Sequence, residues 1–269
     1  MAEYTMPDPV VRVTDVQELA RDLVVIPNRQ VQLVPNIGII GGRDSVLVVE
    51  TGMGPGNAEK VLEFAAGYAK GRRLFLTTTH FHPEHAFGAQ TFAGEATFLV
   101  NQAQAEDLKV KGPGYLDMFR GLGEPVARQL EGVVAPAQPD VVYDRSYDLD
   151  LGGRVVQLRA TGRAHSRGDQ VVRVPDADVL FTGDLAEAGQ FAIFPWFPPY
   201  DTDVSGTRWL SVMQRLAAEG AGVVVPGHGE VGGPRLLADV RDYLRLLRDE
   251  TWIRRDSAVS EQTIVDERR

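Results

Sequence analysis

Residues 77–90 read TTTHFHPEHAFGAQ and hold three of the chain's five histidines, with Glu84 between the second and the third. Imidazoles and a carboxylate set this close offer lone pairs that suit Zn²⁺, and also Fe or Mn. In an extended segment alternate side chains point the same way, so His80, His82 and Glu84 can converge on one face where a strand gives out. Pro83 has the fixed φ that suits a first helical turn, which puts His85 at the opening of a helix. The pattern can then feed two metals, His80 and His82 going to one, Glu84 and His85 to its neighbour. A chance cluster of surface or core histidines is the plain alternative, and three histidines in six residues after an apolar strand argue against it.

The other two histidines fall where such a site would need them. His165 lies in ATGRAHSRGDQVV, a Gly-rich turn between two predicted strands, and His228 lies in VVVPGHGEV, a turn just after a short apolar strand. Both are loop positions at strand ends, where function concentrates. Between them DVLFTGDLAE places Asp184 just past another apolar strand, where its carboxylate could bridge two cations or simply form an Asx turn.

The elements that must position these groups can be read from pattern. Short β-branched runs at 23–26, 31–34, 38–41 and 45–50 predict a strand meander, and a helix-period segment at about 57–69 precedes the buried strand RRLFLTTT. Further strands are expected near 96–100, 141–144, 148–151, 154–160, 169–174 and 179–182, with helices at about 206–219 and 234–250. Two rounds of strands followed by helices imply an α/β fold of four layers, two sheets packed together with helices outside. The punctuated stretch 112–140 is expected to carry a short helix on a mobile flap. One domain is expected over 1–256, with a polar tail at 257–269.

Composition narrows the partners. With no cysteine among 269 residues, disulfides, thiolate ligands and cysteine nucleophiles are excluded together. The 37 acidic against 28 basic residues give a formal charge of −9, which repels a phosphate backbone and argues against nucleic acid. The first fifteen residues lack the basic start and apolar run of a secretory signal, and no window approaches a membrane span, so a soluble cytoplasmic protein with no membrane partner is expected.

Taken together, HFHPEH, GRAHS, TGDL and PGHG resemble the ordered ligand motifs of the metallo-β-lactamase superfamily, and NIGIIGGRDSVLVVETG resembles its first strands. The resemblance implies an αβ/βα sandwich with the site at one edge of its two sheets. It implies His80, His82 and His165 at a first metal, Glu84, His85 and His228 at a second, and Asp184 bridging both. Two departures stand out. Glu84 replaces the usual Asp of the His-x-His-x-Asp-His run, and Glu50 replaces the Asp that orients the site from the strand before it.

The chemistry implied is hydrolysis. Two divalent cations, first of all Zn²⁺, can polarise a carbonyl and bring a bound water to a pKa of about 7, so hydroxide on the metals would attack an ester, lactone, thioester or strained amide. Glu84 and Asp184 could share the proton, although ligands are weak bases. A mononuclear iron oxygenase like the persulfide dioxygenases is the alternative that a distorted second site would favour, and an idle binding protein is opposed by the full ligand set. A β-lactamase is disfavoured by Asp184, where lactamases of this fold often have Cys or Ser. The substrate is expected to be a small molecule, apolar or aromatic, because Phe191, Phe194, Trp196, Phe197 and Tyr200 crowd GQFAIFPWFPPYDTD as a lip over the metals. Arg163 and Arg167 flank His165 and could hold an anionic group. The apolar stripe of RLLADVRDYLRLLRDETWI either packs on a sheet or joins a homodimer.

Overall fold

The computed structural model of the chain describes residues 7–257, 259–260 and 262–263. Seven strands form the first sheet in sequence order: β1 (Gln17–Ala20), β2 (Leu23–Ile26), β3 (Ile37–Gly41), β4 (Ser45–Val49), β5 (Arg73–Thr77), β6 (Ala96–Asn101) and β7 (Val141–Tyr143). Pairing is antiparallel through β4 and parallel from β4 to β7. The second sheet runs β12 (Val223–Pro226), β11 (Val179–Gly183), β10 (Gln170–Val174), β9 (Val155–Ala160), β8 (Ser146–Asp150), antiparallel except for the parallel pair of β11 with β12.

Three separate cores prove the layering. Strand alternation sends Leu47 and Val49 of β4 inward to meet Val172, Phe181 and Val225 of the second sheet. Val46 and Val48 point the other way, onto Val61 and Ala65 of α1 (Gly54–Ala69). On the far side Leu180 and Val224 pack against Trp209 and Leu216 of α6 (Gly206–Glu219) and Leu237 and Leu244 of α7 (Pro234–Asp256). Strands buried on both faces must read as near-continuous apolar runs, which is why β4 is SVLVV. Gly38 is required where Phe181 crosses between the sheets, since a Cβ there would strike the ring.

Two expectations fail, each for a local reason. Residues 31–34 are not a strand: Arg29, Gln30 and Leu33 take φ of +57°, +56° and +58°, which no pairing strand tolerates, and the segment forms consecutive turns. The stretch at 112–140 is not a loose flap. After α2 (Pro83–Ala86) and α3 (Gln102–Val110) it forms α4 (Gly112–Arg120) and α5 (Glu124–Gln129), with Tyr115, Leu116, Phe119 and Val126 buried in the core beneath the first sheet. Lys111, between α3 and α4, lies 3.3 Å from Asp107, 3.0 Å from Asp201 and 2.8 Å from Asp203, and Tyr115 donates to Asp201 at 2.9 Å. That cluster ties the helices to the aromatic loop. Most of the polar tail expected at 257–269 lies outside the described residues. Among the described residues no helix is long and apolar enough to cross a membrane.

Candidate metal centre

All five histidines of the chain converge at one edge of the sandwich. β5 ends at Thr77, so His80 and His82 sit in the connection beyond it, and α2 begins at Pro83, carrying Glu84 and His85. His165 comes from the turn between β9 and β10, Asp184 from the residue after β11, and His228 from the turn after β12. Side-chain donors of His80, His82, His165 and Asp184 lie within 4.8 Å of one another, and so do those of Glu84, His85, Asp184 and His228.

Asp184 belongs to both groups, one oxygen to each. Its Oδ2 is 3.7 Å from His80 Nε2 and 3.6 Å from His165 Nε2, while its Oδ1 is 3.3 Å from His85 Nε2 and 3.6 Å from His228 Nε2. Asp184 thereby stands between the two groups.

The outer nitrogens of His80, His165 and His228 are hydrogen-bonded and that of His85 faces a carboxylate, and this decides which face each ring presents. His165 Nδ1 donates to the Ile193 carbonyl at 3.1 Å and His228 Nδ1 to the Val34 carbonyl at 2.9 Å. His80 Nδ1 meets Thr79 Oγ1 at 3.2 Å, and that hydroxyl donates to Glu50 Oε1 at 2.6 Å. His85 Nδ1 lies 3.3 Å from the same oxygen of Glu50. Four rings are thus turned with Nε2 inward, the arrangement that metal-ligating imidazoles adopt. His82 is the exception: its Nδ1 faces inward, 3.3 Å from His165 Nε2, and its ring stacks on Tyr115 at 5.1 Å.

Burial sets the charges. It pushes His80 and His82 well below the usual imidazole value, His165 down to about 4, and His228 down as well, leaving neutral rings with free lone pairs. Burial also lowers His85, but the carboxylates of Asp184 and Glu50 together outweigh it and raise that ring. Desolvation raises the Glu84 carboxyl to about 7. It raises Asp184 too, but the histidines His85, His228 and His80 win and hold the carboxyl well below its usual range.

The residues fit a pair of cations on one observation above all. His80 Nε2, Glu84 Oε2, His85 Nε2 and Asp184 Oδ1 are buried without a hydrogen-bond partner. Orphaned buried polar atoms are costly, and four gathered in one place call for a ligand that accepts their lone pairs. Glu84 lies in the first turn of the one-turn helix α2, buried.

A cavity of about 360 Å³ opens on this cluster, bordered by Glu84, Asp184, Glu187 and His228 and walled by Val31, Leu33 and Ile193. The 28–33 turns therefore form a wall of the site in place of the expected strand. The five rings expected to cover the metals do not line this cavity: Phe194 packs on Trp209, Phe197 against Tyr115, Tyr200 over Gly114 and Phe191 against Tyr243. Nor do the arginines serve an anion. Arg167 pairs with Asp107 and Glu106 at 3.0 Å each, and Arg163 donates to the carbonyls of Asp203 and Thr202.

Three residues at the site were not singled out from the sequence. Glu187 is buried, with Oε2 accepting from Gln190 Nε2 at 2.7 Å and Oε1 unpartnered; burial and then the charge of Asp184 push its carboxyl up to about 9. Thr79 links Glu50 to His80. Asn36 pins the His228 turn by donating to the carbonyls of Pro226 at 2.9 Å and Gly229 at 2.8 Å. Only Glu187 left a readable signal, a carboxylate three residues after Asp184 in a glycine-flanked turn.

A profile of the metallo-β-lactamase superfamily matches residues 31–228. Among curated relatives, the linear primary-alkylsulfatase of Pseudomonas sp. is 24% identical over 245 residues, covering 78% of this chain and 44% of the sulfatase. The acyl-coenzyme A thioesterase MBLAC2 of Bos taurus is 26% identical over 231 residues, covering 78% of each. Among solved structures, a metallo-β-lactamase from Pontibacter korlensis superposes with a TM-score of 0.66 at 18% identity, over 86% of this chain and 98% of the other. The sec-alkylsulfatase Pisa1 from Pseudomonas sp. gives 0.72 at 16% identity, over 94% of this chain and 45% of the other. The chain spans less than half the length of these alkylsulfatases.

Proposed function

Because the chain belongs to the metallo-β-lactamase superfamily, we propose that it is a dinuclear metal-dependent hydrolase of acyl thioesters or related esters. The observation that carries this reading is Asp184, whose two carboxylate oxygens face two separate groups of buried donors, and which borders a cavity together with Glu84 and His228. His80, His82 and His165 would hold one cation, Glu84, His85 and His228 the other, with Asp184 between them. When bound, the cations would supply Lewis-acid polarisation of the substrate carbonyl and an acidified water at neutral pH.

The chain's own residues do the rest. Ser, Thr and Cys are absent from the cavity lining, so the attacking oxygen comes from water. Glu50 orients His85 directly and His80 through Thr79, which keeps both donor groups in register. Glu187 borders the cavity, where its carboxyl, pushed up to about 9 by burial and the charge of Asp184, can hydrogen-bond the substrate or hold a proton for the departing group. Val31, Leu33 and Ile193 give the cavity an apolar wall.

Similarity to the thioesterase, over 78% of both chains, puts thioesters first. Similarity to the alkylsulfatases supports a second reading, cleavage of alkyl sulfate esters on the same site. Metal content per chain, measured beside hydrolysis of acyl-coenzyme A, an alkyl sulfate and a chromogenic β-lactam, tests both. About two metals and thioester turnover that His228→Ala abolishes are expected. A metal-free, inactive protein would sink the proposal, and turnover of the sulfate alone would select the second reading.

A further inference from the structure

Beside the metal cavity lies a second concavity of about 400 Å³, lined by Phe191, Tyr243, Leu246, Leu247 and the ion pair of Glu250 with Arg254. The loop between them links the two. Ala192 packs against the core of the helical layer and Phe194 packs on Trp209, while Phe191 and Ile193 turn outward, 77% and 56% exposed. Ile193 lines the metal cavity and its carbonyl holds His165, whereas Phe191 meets Tyr243 at 5.7 Å and lines the groove. Two extended residues span roughly 7 Å, so the groove begins one short apolar step from the wall of the metal cavity.

Helix α7 makes the other wall, and it is unusual in what it leaves uncovered. It buries only Leu237 and Leu244, while Leu246 stays 55% exposed on the groove side. An exposed apolar patch of this kind marks a binding surface. Its charged members are paired with each other, so the groove suits an uncharged chain better than an ionic head.

Resting on the hydrolase reading above, we propose that this groove seats the apolar chain of an acyl substrate whose reacting carbonyl lies in the metal cavity. The protein would then select long acyl chains over short ones, through Phe191 and α7 rather than through the metal ligands.

The test compares the metal-loaded wild type with the double variant Phe191→Ser/Leu246→Glu, both changes being at exposed positions that the fold does not need. Three quantities are measured: kcat/KM for acyl-coenzyme A from acetyl to hexadecanoyl, calorimetric binding of dodecanoate, and sedimentation. In the wild type kcat/KM should rise about two- to fourfold per methylene over part of the series. In the variant the ratio of kcat/KM for dodecanoyl over acetyl should fall about tenfold or more, with a matching loss of dodecanoate affinity. Equal chain-length slopes in the two proteins overturn the proposal. So does a wild-type dimer that the variant dissociates with the slope unchanged, since the groove is then a contact between copies. If no thioester is cleaved, the thioesterase reading fails on its own, and dodecanoate binding still decides: weakened in the variant it supports the groove, unchanged it overturns it.

Discussion

Glu50 lies 3.3 Å from His85 Nδ1 and accepts from Thr79, which in turn meets His80, so one carboxylate steadies a ring in each donor group. It is held at φ +75°, a conformation that costs a non-glycine residue on the order of 1–3 kcal/mol and persists where the surroundings require it. Glu50→Gln keeps the shape and removes the charge, and should weaken metal affinity about 10- to 100-fold in a chelator competition; wild-type affinity would show the carboxylate to be idle. Asp107 offers a prediction in pH. Burial pushes its carboxyl up to about 6, against Lys111 and Arg167, which pull it down. The folded value lies above the unfolded one near 3.9, so this group's contribution to stability is full below about pH 4 and is lost as pH rises through about 6. Unfolding free energies of wild type minus Asp107→Asn should therefore fall by on the order of 2 kcal/mol between those limits. A difference flat in pH would mean the two cations keep Asp107 ionised throughout. The histidine cluster was legible in the sequence because its donors are neighbours in the chain; Glu187 left only its spacing from Asp184 as a signal, and Thr79 and Asn36 left none. Their importance lies in what they touch across the fold, and Thr and Asn carry no chemistry of their own to mark them.

At the scale of elements, the site depends on how closely strand ends can approach. The turn after β12 passes over Asp184 at Gly227, where a Cβ would collide with Asp184 Oδ1 and with the backbone of residues 183 and 184. Gly227→Ala should accordingly turn Asp184 aside and lower metal affinity at least about tenfold. Gly232→Ala meets only ordinary contacts with Leu236 and should leave metal content unchanged. Equal metal content in both variants would show that the turn can shift at no cost. Most strands were readable as apolar runs bounded by Gly, Pro and Asn, and α6 and α7 by their helical period. The 31–34 run was misread because β-branched residues alone do not make a strand; the segment holding the left-handed Arg29, Gln30 and Leu33 is tied within itself by Asn36 accepting from the Asn28 amide at 2.9 Å, and to the β12 turn by His228 Nδ1 donating to the Val34 carbonyl at 2.9 Å. The 112–130 helices were hidden by glycines and prolines that here start helices rather than end them, as Pro113 and Pro125 do.

For the molecule as a whole, the metal ligands come from both sheets, so cations at the site would clasp the two halves together. A ligand that binds only the folded chain adds RT ln(1 + [L]/Kd) to its stability, about 4 kcal/mol at a thousandfold excess over Kd. Stripping the metal with a chelator should then lower Tm by roughly 10 °C, reversibly on adding back Zn²⁺. An unchanged Tm would mean that the clasp carries no load. The sharing of Asp184 also orders events in time. His80, His82, Glu84 and His85 leave the ribosome ahead of Asp184 and His228, by on the order of ten seconds at ordinary rates of synthesis. Until β12 pairs with β11 and delivers His228, the second donor group lacks one of its four members, whereas the first is complete once Asp184 is in place. The second cation would then be the last part fitted, the bolt drawn across two halves that have already closed.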